Sequence, residues 1–214
     1  GQPDELPVTE QAPIKKAEAP YGNTKQISEE ILQDTDRTGS GLEAIALRYF
    51  NPIGAHESAK IGELPLGVPD NLVPYVTQTA YGLRKELKVF GDNYNTPDGS
   101  AIRDYIHVSD LAQAHVVAIN RLIAGKNKSV YEYFNLGTGK GSSVLEVVNT
   151  FEAVTGVKLN YTITDRRAGD VEQVWADTRF ANNELGWKAE RSLGDALASA
   201  WKWEQAFRQK ETNA

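Results

Sequence analysis

The sequence predicts an α/β fold built on a parallel sheet, and two observations carry that expectation. Leu42 to Phe50 (LEAIALRYF) is a nearly continuous apolar run with aromatics, the pattern of a strand covered on both faces. A helical stretch precedes it, and parallel strands need crossover helices, so the helix-then-strand order reads as the tail end of a βαβ series. The 214 residues, 40% apolar and 24% charged, have the composition of one globular domain or of a domain with a subdomain.

Residues 1 to 20, rich in Pro and acidic groups without a period, read as a surface loop. A helix is expected from about Pro20 to Thr38, closing at Gly39 and Gly41, and Asn51-Pro52-Ile53-Gly54 ends the strand after it. His56 to Asn71 reads as a Gly/Pro-rich loop, followed by a helix from about Leu72 to Lys85, a short strand at Val89-Phe90-Gly91 and a turn-rich stretch from Asp92 to Ser100. Arg103 to Val108 alternates polar and apolar groups as a short strand does. Ser109 or Asp110 then caps a helix with Leu111, Ala114, Ala118 and Leu122 on one face. Tyr131 to Leu136 is a further strand, and after Gly137-Thr138-Gly139-Lys140-Gly141 a capping box of Ser143 and Glu146 opens a helix with Val144, Val147, Val148 and Phe151 inward. The last third holds a strand at Lys158 to Ile163, a loop from Arg166 to Asp170, and a helix from Ser192 to about Arg208.

Composition narrows the function. There is no run of about 18 apolar residues and no charged-then-apolar leader, so a cytoplasmic chain without a membrane span is expected. The absence of Cys excludes disulfides, thiolate metal sites and a cysteine nucleophile, and His56, His107 and His115 lack metal-ligand spacing, so no metal is expected. A net charge of -6 argues against nucleic-acid binding. The chain has no Met even at its first position, so Gly1 is expected to be a cut rather than a gene start.

Tyr21 and Lys25, four apart on a helix, share one face. Bringing a phenol from its ordinary pKa near 10 to about 7 takes roughly 4 kcal/mol of preferential phenolate stabilisation, which an ammonium in a dry site can largely provide. Such a Tyr serves as a general base, although the same spacing often means only a core-facing ring beside a solvated ammonium. The GTGKGSS turn meets neither phosphate-loop pattern, because position 142 is Ser and Lys140 precedes Gly141, so it reads as a structural turn. Arg103 and Arg167 are the candidate anion ligands: a guanidinium fork suits a diphosphate, with the Asp170 carboxylate taking sugar hydroxyls, against the plain alternative of exposed charges. Phe90 stacks on a base or fills a core, and Asn51 and Asn71 are turn formers by default.

The segments PYGNTK, LRYFNPIGAH, NLVPYV, VFG, IRDYIHVSDLAQAH, FNLGTG, RRAGDVEQVWAD and ELGWKA together resemble the UDP-glucose 4-epimerases of the extended short-chain dehydrogenase/reductase superfamily, in that family's order and spacing. The resemblance implies the C-terminal part of a Rossmann-like doubly wound parallel sheet plus a smaller α/β substrate-binding subdomain. Residues 1–55 would end the Rossmann-like domain, and 56–214 would form mainly the nucleotide-sugar region, with some elements interleaved. It implies NAD as cofactor, UDP-sugars as substrate, a homodimer when full length, and 4-epimerisation through a 4-keto intermediate.

Carried over by the resemblance, Tyr21 is the base, Lys25 holds the nicotinamide ribose and lowers the Tyr pKa, and Phe50 borders the nicotinamide. Asn51, Asn71 and Leu72 line the sugar-diphosphate channel, and Lys88, Val89 and Phe90 receive the uracil. Arg103 and Arg167 take the diphosphate, Asp170 takes the ribose hydroxyls, and Tyr105 faces the substrate. Val174 stands where glucose- and galactose-restricted members carry a bulky Tyr, which implies acceptance of UDP-N-acetylglucosamine and UDP-N-acetylgalactosamine as well. The family's GxxGxxG loop and its Ser/Thr before the Tyr are expected upstream of Gly1. The chain is therefore expected to be a C-terminal portion lacking the N-terminal NAD-binding segment and inactive by itself. Related dehydratases, uronate or pentose epimerases, and a non-catalytic nucleotide-sugar-binding module are the alternatives.

Overall fold

In the computed structural model, which describes residues 2–17 and 19–212, the chain begins with helix α1 (Pro20–Arg37), strands β1 (Ala44–Tyr49) and β2 (Asn51–Ile53), and helix α2 (Leu72–Tyr81). Strands β3 (Leu87–Phe90), β4 (Ile102–Arg103) and β5 (Tyr105–His107) lead into helix α3 (Val108–Ile123), strands β6 (Tyr131–Leu136) and β7 (Ser142–Ser143), and helix α4 (Val144–Thr155). Strands β8 (Tyr161–Thr164) and β9 (Gln173–Val174), a π-helical turn at Ala181–Leu185 and helix α5 (Leu193–Thr212) complete it. β1 and β6 run parallel, from Ala44 opposite Tyr131 to Tyr49 opposite Leu136. β2 is parallel to β5, β3 to β8 and β4 to β9, while β7 is antiparallel to β4.

Alternation along β5 divides the interior. Tyr105 joins a core with Ile53, Val76, Val89, Phe151 and Leu197, drawn from β2, α2, β3, α4 and α5. Ile106, the next residue, joins a second core with Leu111, Ala114, Phe134, Leu136 and Trp187, beneath α3. Successive strand side chains point to opposite faces, so helices cover the strands on both sides, as a parallel sheet requires. Full burial of a side chain such as Phe134, Phe151 or Leu197 contributes about 1.5–3 kcal/mol.

This distribution corrects the expectation of a C-terminal sheet remnant with a smaller subdomain beside it. Parallel ladders recur from Ala44 to Val174, with cores on both faces, so the doubly wound parallel architecture extends through most of the described chain. The local pattern misleads for a physical reason. β2, β4, β5, β7 and β9 are two or three residues long, too short for a period to register, and partners distant in sequence make them strands.

Element ends follow the local chemistry. α2 stops at Tyr81 rather than Lys85 because Gly82, at φ 89, turns the chain left-handed and donates its amide to the Gln78 and Thr79 carbonyls. α4 starts on Ser143, whose hydroxyl accepts from the Glu146 amide at 2.9 Å. α3 is capped by His107, whose Nδ1 accepts from the Ser109 amide at 3.0 Å, rather than by Ser109 or Asp110. Asp110 is buried and accepts from the Glu190 and Arg191 amides and from the Arg191 guanidinium. The predicted loop over residues 1 to 20 is partly stitched down: Val8 bridges to Ala176, and the buried Glu10 accepts from the Asn135 amide at 2.7 Å. Gly1 and Glu18 of that stretch lie outside the described residues. No helix among the described residues is long and apolar enough to cross a membrane.

Between β4 and β5, Asp104 is fully buried. Its Oδ1 accepts from the Thr138 amide at 2.8 Å and the Thr138 hydroxyl at 2.7 Å, and its Oδ2 accepts from the amides of Gly139 at 3.2 Å and Ala176 at 3.1 Å. Gly137 is required beside it, because a Cβ there would lie 2.2 Å from Asp104 Oδ2. Asp104→Ala leaves the buried Ala176 amide and the part-buried Thr138 and Gly139 donors without their acceptor, and at about 1–3 kcal/mol per buried orphaned group the protein should lose about 2 kcal/mol or more of stability. Urea unfolding measures it: the midpoint should fall at unchanged slope, and a midpoint equal to the parent's would remove the cradle from this role.

Candidate functional site

A cavity of about 430 Å³ opens between β2, the start of α2, β3, the β4–β5 junction and the 167–170 loop. Its placement follows from the fold. β2 delivers Asn51 at one wall, and the chain entering α2 delivers Asn71 and Leu72 at another. Asn71 is the N-cap of α2 in extended conformation, and its amide nitrogen donates to Glu63 Oε1 at 2.7 Å rather than to its own helix. The first turn of α2 therefore presents its positive end toward the cavity. On β3, Lys88 and Phe90 line the opening.

The floor is charged. Arg103 and Asp170 are each 18% exposed, with Arg103 Nη2 lying 3.7 Å from Asp170 Oδ1. The other nitrogen of Arg103, Nη1, donates to the Ile102 carbonyl at 2.8 Å. Arg167, 61% exposed, donates from Nη2 to the same Asp170 Oδ1 at 3.2 Å, and its guanidinium lies 5.4 Å from the Phe90 ring centroid. Tyr105 also lines the cavity, and burial pushes its hydroxyl well above the ordinary phenol range, more than the nearby Arg103 charge lowers it. It stays protonated and offers a hydrogen-bond donor. Two guanidiniums, a helix N-terminus, a phenol donor and the Asp170 carboxylate on the floor, with Asp70 on the wall, make a site for an anion that also carries hydroxyls.

Among the sequence candidates, Asn51, Asn71, Leu72, Lys88, Phe90, Arg103, Tyr105, Arg167 and Asp170 come together in this cavity. Val89 does not, because alternation along β3 turns it fully into the core. Val174 sits half-buried on β9, directly opposite Arg103 in the parallel register and outside the lining. Tyr21 and Lys25 lie in the first turns of α1, with Lys25 Nζ 5.0 Å from the Tyr21 ring centroid. Tyr21 is 73% exposed, so the described residues leave the pair open rather than in the dry surroundings the sequence argument assumes. Phe50, half-buried, donates its amide to the Leu136 carbonyl at 3.1 Å and leads directly into Asn51.

Tyr75, Asp70 and Val144 also line the cavity and were not among the candidates. Tyr75 had a signal, being one helical turn beyond Leu72 and on its face. Asp70 and Val144 reach the wall only through tertiary packing. No group of His, Asp and Glu side chains among the described residues is arranged to hold a metal ion.

A family model described as GDP-mannose 4,6 dehydratase matches residues 1–199. The chain is 47% identical over 204 residues to a UDP-glucose 4-epimerase of Drosophila melanogaster, covering 95% of this chain and 58% of that protein. It is 50% identical over 203 residues to UDP-glucose 4-epimerase 2 of Arabidopsis thaliana, covering 95% of this chain and 57% of that one. Among solved structures it is similar to the UDP-glucose-4-epimerase of Stenotrophomonas maltophila with bound NAD and formylated UDP-arabinopyranose, at a TM-score of 0.93 and 48% identity over 98% of this chain and 61% of the other. The Bifidobacterium longum enzyme in complex with NAD+ and UDP matches at 0.90 and 46% identity over 96% of this chain and 60% of the other. The chain thus spans about three fifths of the length of these relatives. The matches correct the expectation of a portion stripped of the cofactor-binding fold, because the aligned 98% takes in the parallel α/β sheet and the YxxxK helix themselves.

Proposed function

The chain belongs to the GDP-mannose 4,6 dehydratase family, and on that premise we propose that it performs NAD-dependent 4-epimerisation of UDP-hexoses, interconverting UDP-glucose and UDP-galactose. The observation that carries the reading is the cavity itself, where Arg103, Arg167, Asp170, Tyr105 and the start of α2 converge from separate stretches of sequence. Arg103 and Arg167 grip the diphosphate through charge-assisted hydrogen bonds. Asp170 accepts from the ribose hydroxyls, and the Lys88 to Phe90 edge receives the uracil. Asn51, Asn71 and Leu72 steer the hexose toward Phe50 and α1.

Tyr21, Lys25 and Phe50 suit the nicotinamide ribose end of NAD: a phenol and an ammonium share one helix face, and the aromatic lies at the carboxyl end of a parallel strand, where nucleotides bind in open α/β sheets. When bound, NAD supplies a reversible hydride acceptor for carbon 4 of the sugar, which makes a 4-keto sugar accessible. Tyr21, held as phenolate by the Lys25 ammonium, takes the proton of the 4-hydroxyl, stays a phenol while the sugar is at the keto level, and returns the proton at the end to restore the phenolate. The reading includes a cytoplasmic homodimer. The cysteine-free composition and the exposed Ile27 and Ile31 on α1 motivate the two parts, and fractionation and sedimentation check them.

Tyr21→Phe should lower turnover by orders of magnitude with UDP affinity nearly unchanged, because the lost interaction belongs to proton transfer alone. A coupled assay of UDP-galactose conversion with UDP titration measures both. Near-parent turnover would give the base to another residue, and a dehydrated rather than epimerised product would replace the reaction class.

Substrate range is the second part. The β4–β9 register sets Val174 beside Arg103, and Val is much smaller than the Tyr that the resemblance associates with glucose- and galactose-restricted members. The protein should interconvert UDP-N-acetylglucosamine and UDP-N-acetylgalactosamine as well, and Val174→Tyr should remove that activity selectively. Both substrate pairs are to be assayed on parent and variant; a parent inactive on the N-acetyl pair, or equal loss of both activities, would show that Val174 is no gate.

A further inference from the structure

Asp170 holds a position that a simple diphosphate clamp would not need. One of its oxygens, Oδ1, faces both guanidiniums of the cavity, 3.2 Å from Arg167 Nη2 and 3.7 Å from Arg103 Nη2. Asp170 and Arg103 are each only 18% exposed, so their attraction is less screened than that of a surface pair. The free site therefore carries its own anion, seated between the two cations that an incoming phosphate group must use.

We propose that Asp170 is an electrostatic selector that admits nucleoside diphosphates and turns away bare inorganic diphosphate. The inference rests on the nucleotide-sugar reading of the cavity. An entering diphosphate meets the Asp170 carboxylate as a like charge at the guanidiniums, and a like charge held this close opposes binding. A nucleoside diphosphate compensates, because its ribose hydroxyls are donors that satisfy the carboxylate as the guanidiniums turn to the phosphates. Pyrophosphate carries comparable negative charge near neutral pH and has no ribose to offer. Asp170 thus couples the two halves of the ligand: the phosphates gain both cations only when a sugar hydroxyl takes over their counter-ion. The remaining acidic side chain of the cavity wall, Asp70, belongs to the segment leading into α2, whereas both arginines pair with Asp170, so the selector role falls on Asp170.

Titration calorimetry with UDP and with inorganic pyrophosphate on the parent, Asp170→Asn and Asp170→Ala tests this, with unfolding midpoints to confirm that the variants are folded. Asp170→Asn keeps the size and removes the charge. Pyrophosphate should bind both variants about tenfold more tightly than it binds the parent, and UDP should bind them more weakly. Opposite signs for two diphosphates are the signature, since damage to the cavity would weaken both. Arg167→Ala added to Asp170→Asn should abolish the pyrophosphate gain. A parent that binds UDP while pyrophosphate affinity stays the same or falls in both variants overturns the inference alone. A parent that fails to bind UDP overturns the reading beneath it and the inference with it.

Discussion

The Asp104 carboxylate, fully buried between β4 and β5, is the contact on which the rest of the site depends. Its four acceptor contacts go to neutral donors on the 138–139 turn and at Ala176. Successive amides of a glycine-rich turn form a concavity that binds anions, and here the chain's own carboxylate occupies it. The Asp104 carbonyl also accepts from the Asn51 amide at 2.9 Å. One residue therefore ties the end of β1–β2, the turn after β6 and the exit of β9 to the β4–β5 junction. Its neighbours Arg103 and Tyr105 are one of the cavity's cations and its buried phenol, so their positions inherit the rigidity of that junction.

The second constraint is alternation. Arg103, Asp104 and Tyr105 are consecutive, yet the outer two line the cavity while the middle one is sealed among backbone amides. A short extended segment is the only regular backbone that sends neighbours to opposite faces at every step. The same rule sorts β3, where Lys88 and Phe90 reach the cavity and the intervening Val89 is lost to the core. A one-residue slip in either strand would exchange these sets and abolish the site without altering composition.

The same physics decides what the sequence reveals. β1 and β6 are six residues each, long enough for their apolar pattern to be read, and α4 announces its start through the Ser143 cap. Arg103, Arg167 and Asp170, which line the cavity, stand out in the sequence because Arg and Asp beside turn residues and Tyr suggest anion chemistry, whereas Lys88 and Tyr105 enter only through the family resemblance. The sheet's continuity was not legible, since strands of two or three residues exist only through partners elsewhere in the chain. Nor was the role of Asp104: nothing in RDYIHV distinguishes a carboxylate aimed at solvent from one aimed at Gly137-Thr138-Gly139. The glycine-rich turn reads in the sequence as a structural turn, without showing that Gly137 is needed for a close approach to Asp104 Oδ2.

The charge balance bears on how a ligand is captured. The chain as a whole carries -6, which repels an anionic ligand at long range rather than steering it in. Beyond about 8 Å that field is screened at physiological ionic strength, so discrimination passes to contacts made inside the cavity. There the cations Arg103 and Arg167 are already engaged by Asp170, and binding is an exchange of partners rather than the filling of a bare positive hole. An exchange of this kind lowers the gain from charge alone and raises the share contributed by hydroxyl and aromatic contacts. Selectivity then resides in the whole ligand, and the guanidiniums act as its last step rather than its first.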